Sequence, residues 1–199
     1  MNRISRTAAV ATAVLGLTLV ASGPATAAPS DRGVDVVQKA LTTRIDKRLA
    51  ALKKFDGTLA EAKQVQSAHR STLDALIGTQ TAGLTALRAK VQKDTTREAL
   101  KADAKAMVAG YRVFILTGPK VRLTAAIDTE LAVAGKLRDR KNVDAAKLDA
   151  VDKALAGKVD ALLAIKPGPD GDAIRASVKQ IRQSAKDART TLKSLRKTK

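Results

Sequence analysis

From Asp172 to the end of the chain, the apolar residues Ile174, Val178, Ile181, Ala185, Leu192 and Leu195 are separated by three, four or seven positions. A helix sets such a series along one side, whereas a strand would scatter it over both faces. The same spacing recurs through most of the chain, and it restricts the fold. Val34, Val37, Leu41, Ile45, Leu49, Leu52 and Phe55 predict a first helix from about Asp31 to Phe55. Asp56-Gly57 interrupts the pattern, and Thr58-Leu59-Ala60-Glu61 has the form of a capping box that opens a second helix. Its stripe is Leu59, Ala62, Leu73, Leu76, Ile77, Leu84, Leu87 and Val91; Gly78 and Gly83 weaken it without ending it.

Thr95-Thr96-Arg97-Glu98 forms another capping box, starting a third helix with Leu100, Ala104, Met107, Val108, Tyr111, Phe114 and Ile115 on a broad face. Asp144 to Ile165 puts Leu148, Val151, Leu155, Val159 and Leu162 on one side of a single helix. Lys166-Pro167-Gly168-Pro169-Asp170-Gly171 is a turn, and Asp172 is placed to cap the last helix. Tryptophan is absent, and glycine and proline collect where the stripes break. The expected fold is all-α: an antiparallel, coiled-coil-like bundle of about five long helices.

Residues 111 to 121, YRVFILTGPKV, break this regularity. The stripe after Pro119, formed by Leu123, Ile127, Leu131 and Ala134, is turned by roughly 160° from the one before it on a continuous wheel. Proline also removes one helical hydrogen bond and crowds the carbonyl of Ile115. A kink or break is therefore expected near Gly118-Pro119, either as a bend or with Gly118 as a cap and Pro119 as the first residue of the next helix. No second segment offers a partner strand, and Arg112, Lys120 and Arg122 bracket the stretch too closely for a membrane plug. The segment is expected to be the buried middle of the bundle, with neighbours on two sides.

The run Tyr111-Arg112-Val113-Phe114-Ile115-Leu116 followed by Pro119-Lys120 resembles a signature, YRVxxLxxPK-like, of a family of small secreted, alanine-rich helical actinobacterial proteins of unknown function. The resemblance implies export and helicity. It implies no activity and assigns no functional residue.

The N-terminus points the same way. Arg3 and Arg6 precede an apolar run from Ala8 to Ala21, and Ala25-Thr26-Ala27 provides small residues before a cut at Ala28. Residues 1–27 are read as a secretory signal peptide and 28–199 as a single helical bundle domain. The apolar run is interrupted by Thr12 and Thr18 and falls short of the roughly 20 residues a membrane span needs. With no cysteine there is neither a disulfide nor a lipid-modified cysteine. Loss of Arg3 and Arg6 leaves 35 basic and 19 acidic side chains, a net charge of +16.

Such a surface attracts polyanions. Its densest part is the last helix, where Arg175, Lys179, Arg182, Lys186, Arg189, Lys193, Arg196 and Lys197 recur every three or four residues over roughly 30 Å. These eight are the expected polyanion-binding residues, provided that acidic neighbours do not neutralise them. The stripe carries no aromatic residue for stacking on bases or anchoring in a membrane.

Chemistry is poorly supplied. His69, the one histidine, shares its apolar stripe with Gln66 and Gln80 and is read as part of a polar layer that fixes helix register, or as a site at the edge of the interface, rather than as a metal ligand or general base. Glu61, Glu98 and Glu130 are too scattered for a helical di-metal site, and Asp149 and Asp152 are read as facing solvent. The chain is expected to be non-enzymatic, with no catalytic residue, metal or cofactor. The leading expectation is an exported protein that associates with anionic cell-envelope polymers or surfaces, reads no specific nucleic-acid sequence and has no transmembrane segment once processed; the alternative is a secreted adaptor or structural protein for a protein partner, its charge serving solubility.

Overall fold

The computed structural model describes residues 31–197; the segment read as a signal peptide lies outside them. The fold is all-α. Its helices are α1 (Asp31–Glu61), α2 (Ser67–Val91), α3 (Arg97–Gly110), α4 (Gly118–Arg138), α5 (Ala145–Leu155), α6 (Lys158–Ala164) and α7 (Gly171–Lys197), with a π-helical turn over Val113–Thr117 leading into α4. Where about five long helices were expected, the described residues form seven α-helices: the predicted Asp144–Ile165 helix is divided, and the chain stops between α3 and α4, one of the two expected alternatives, rather than bending through a single helix.

The first boundary differs from expectation. α1 continues through Asp56-Gly57, since Phe55 and Leu59 are both buried and continuing the helix keeps them on one side. Thr58 opens no new helix: its hydroxyl donates to the Lys54 carbonyl, a bond made in the helix interior. Arg70 closes α1 instead, donating to the carbonyls of Leu59 and Ala62. A cation at the C-terminal end of a helix meets its free carbonyls and the negative end of its dipole. Gln38 near the start of α1 bonds the Val91 carbonyl at the end of α2, so these two helices run in opposite senses.

Other caps fall one or two residues from their predicted places. Thr96 itself caps α3 by accepting from the Ala99 amide. Asp170, rather than Asp172, caps α7, accepting from the amides of Asp172 and Ala173 at 2.9 Å each. The predicted Asp144–Ile165 helix starts as expected under the Asp144 cap but divides at Ala156-Gly157, where Gly157 has φ +66°.

The break in YRVFILTGPKV lies earlier than Gly118-Pro119. α3 ends at Gly110, and Tyr111 and Arg112 have non-helical backbones. The chain then re-enters a helix through the π turn, in which the Gly118 amide bonds the Val113 carbonyl five residues back. Gly118 and Pro119 form the first turn of α4, where a missing amide hydrogen is tolerated. Gly118 also admits Phe55: a Cβ there would lie 2.7 Å from the ring.

Two cores meet on this run. Val113 and Val121 pack with Leu41, Ile45, Leu52, Leu73, Leu84, Leu100 and Met107 from α1, α2 and α3. Leu116, Leu123 and Ile127 pack with Leu148, Leu155, Leu162, Val178 and Leu192 from α5, α6 and α7. The change of apolar face seen in the sequence is the switch from one core to the other. Phe114 departs from the expected buried face and is 53% exposed.

A polar seam accompanies the apolar contacts. The buried Asp128 carboxylate of α4 accepts from the Gln66 amide at 3.0 Å and lies 2.9 Å from His69 Nδ1. Thr117 donates to the Gln80 side chain at 2.8 Å. Gln66, His69 and Gln80 thus all bond to the Val113–Arg138 run, as a layer that fixes register would. Asp128→Ala strands the Gln66 amide and the His69 ring, so a loss of about 2 kcal/mol in unfolding free energy by urea titration is expected, with helicity kept.

Candidate functional site

All eight predicted polyanion-binding residues lie on α7, and all eight are exposed. The helix forms because Ile174, Val178, Ile181, Ala185, Ala188, Leu192 and Leu195 bury one side against α4, α5 and α6. At roughly 100° per residue the eight cations occupy an arc of about 100°, flanking the buried side rather than opposing it. Ser, Thr, Gln and Ala residues, with Asp172 and Asp187, fill the remaining outer surface.

The acidic helices do not neutralise this stripe. Arg175 pairs with Asp172 at 2.6 Å, a bond on the same helix with Asp172 93% exposed. Among the described residues, Lys179, Arg182, Lys186, Arg189, Lys193, Arg196 and Lys197 have no carboxylate within 4.0 Å. The acids of α5 are engaged elsewhere: Arg138 of α4 clasps Asp149 at 2.8 Å and Asp152 at 2.6 Å, so these two face solvent as a bridged pair.

The C-terminal half of the stripe borders a groove between α4 and α7 with a volume of about 390 Å³. Ala125, Ala126, Val133 and Leu192 make its floor, and Arg189, Lys193 and Arg196 make one rim. Glu130 also lines it. Its side chain is buried, and Oε2 has no hydrogen-bond partner among the described residues. Burial pushes the Glu130 carboxyl up to about 7, against the opposing pull of Arg189. Nothing in the sequence distinguishes this glutamate from an exposed one, because α4 is enclosed by helices distant in the chain.

Lys120, in the Pro-Lys end of the motif, was not expected to be special. It is buried and donates to the carbonyls of Leu163 and Ile165, holding the end of α6. Burial draws it down to about 8, with repulsion from Lys166 adding to the effect. The arrangement is structural, since both contacts are backbone. Asp94 and Asp103 form a carboxylate pair beside Lys90, and a hydrogen bond with Asp103 raises Asp94. No group of three or more His, Cys, Asp or Glu side chains suited to a metal ion occurs among the described residues. No helix among them is long and apolar enough to cross a membrane.

Glu130 predicts a pH dependence. Its folded pKa is above the ordinary 4.5, so its contribution to stability is complete below that value and is lost as pH rises through about 7. Between pH 5 and 8 the unfolding free energy should fall by about 2 kcal/mol relative to Glu130→Gln, since groove water screens part of the shift. Urea titrations of both proteins at the two pH values measure the difference.

Comparison of the chain with protein-family models, with curated proteins and with solved structures gives no match.

Proposed function

We propose that the protein is an exported, non-catalytic helical protein that associates electrostatically with anionic cell-envelope polymers or surfaces through α7. One observation carries this reading: among the described residues all eight stripe cations are exposed, and seven of them have no carboxylate within 4.0 Å. Repulsion along such a row is relieved when a chain of phosphates or carboxylates lies beside it and releases counterions. The apolar start of the sequence and the resemblance of the Tyr111–Lys120 region to secreted proteins support export.

A second reading rests on exposed apolar side chains. Val36 and Val37 near the start of α1 are 68% and 40% exposed, which suits an adaptor for a protein partner.

Salt separates the two. Retention on purified bacterial cell wall, or on immobilised polyphosphate, should weaken about 10²- to 10³-fold between ~50 and ~300 mM salt. The variant with Arg182, Lys186, Arg189 and Lys193 changed to Gln should lose retention and keep its helical circular-dichroism spectrum. Retention insensitive to salt and to these changes would favour the adaptor.

A further inference from the structure

The motif stretch and the head of α7 enclose a second, smaller pocket of about 190 Å³. Three arginines from three distant parts of the chain converge on it: Arg48 of α1, Arg112 before the π turn, and Arg175 of α7. Tyr111 and Phe114 also line it. A Cβ placed on Gly171 would stand 3.5 Å from both Arg112 Nη1 and Arg175 Nη1, so these two guanidinium groups lie within about 7 Å of each other.

Each arginine is anchored by bonds that use only part of its donors. Arg112 donates from Nε to the Gly168 carbonyl and from Nη2 to the Pro169 carbonyl, which fastens the Lys166–Gly171 turn. Its Nη1 has no partner among the described residues. Arg48 donates from Nη1 to the Arg44 carbonyl at 3.0 Å, while its Nε is shut off from water and meets no acceptor. The Phe114 ring covers that guanidinium at 5.5 Å. Arg175 has Asp172, whose carboxylate is 93% exposed and displaced at little cost.

A desolvated arginine among arginines is an unfavourable arrangement unless an anion completes it. Burial, then repulsion from Arg44 and Arg112, lowers the Arg48 pKa. The three guanidinium groups come from three separate elements and together offer more donors than the two oxygens of a carboxylate satisfy, whereas a tetrahedral oxyanion presents an acceptor to each. We propose that this pocket is a binding site for a single phosphate group, held by Arg48, Arg112 and Arg175.

This inference goes beyond polymer binding by α7 and does not depend on it. Arg175 is common to both, but Arg48 and Arg112 lie outside the stripe. The site accepts inorganic phosphate or a phosphoryl group at the end of a larger molecule, since the shared chemistry is the oxyanion.

Titration calorimetry with inorganic phosphate at pH 7, with sodium chloride holding ionic strength constant, tests it on the unaltered protein, Arg48→Gln, and the stripe variant with Arg182, Lys186, Arg189 and Lys193 changed to Gln. The unaltered protein and the stripe variant should each bind one phosphate per chain. Arg48→Gln should bind roughly 10- to 100-fold more weakly. In phosphate-free buffer its melting temperature should equal or exceed that of the unaltered protein, because it relieves an uncompensated charge. If Arg48→Gln fails to fold, Arg175→Gln, an exposed change, must produce the loss of affinity instead. Equal binding by the unaltered and pocket-altered proteins, loss of binding in the stripe variant alone, or no binding by the unaltered protein would each overturn the assignment. A glycerol phosphate arm with equal or tighter affinity identifies the site as one for phosphoryl end groups; selectivity for inorganic phosphate identifies a free-anion site.

Discussion

The two cores of this protein meet on the run from Val113 to Arg138, where three buried polar side chains, Thr117, Lys120 and Asp128, find partners on neighbouring elements. Its apolar residues divide between the two cores: Val113 and Val121 on one side, Leu116, Leu123 and Ile127 on the other. Its polar residues hold the elements around it. Thr117 reaches α2, Asp128 reaches the start of α2, and Lys120 holds the end of α6. Buried polar contacts contribute modest net stability but penalise alternative registers strongly, since a shift by one residue leaves the same groups unpaired.

Positive charge is distributed under the same rule. Along α7 the cations stand in water, where repulsion between neighbours is screened and amounts to tenths of a kcal/mol per pair. Around Arg48 the surroundings are drier and the groups come from separate elements, so the repulsion is felt more strongly. The exposed row suits a long, loosely held polymer. The three converging arginines suit one compact anion, and the two surfaces adjoin at Arg175.

Glycine placement shows how local weakness serves packing. Gly83 is a poor helix former in the middle of α2, yet a Cβ there would stand 2.3 Å from the Tyr111 hydroxyl oxygen. Gly118 gives up side-chain packing of its own so that Phe55 can approach the first turn of α4. Both glycines therefore receive an aromatic side chain from elsewhere in the chain, Gly83 from Tyr111 at the break itself and Gly118 from Phe55 of α1.

The sequence by itself determined the helical class and the position of the α7 stripe, because both depend on spacing along one element: side chains three and four apart share a face wherever the helix is placed. It also showed that the apolar face changes near Pro119, and it marked Gln66, His69 and Gln80 as a polar layer. Only the tertiary structure decided where α1 ends, since Arg70 and the burial of Leu59 outweigh Asp56-Gly57 and the apparent cap at Thr58. The same holds for the partner of His69, 59 residues away, for the burial of Glu130, and for the meeting of Arg48, Arg112 and Arg175. Desolvation and convergence depend on which elements cover a side chain, and a residue's sequence neighbours do not contain that information.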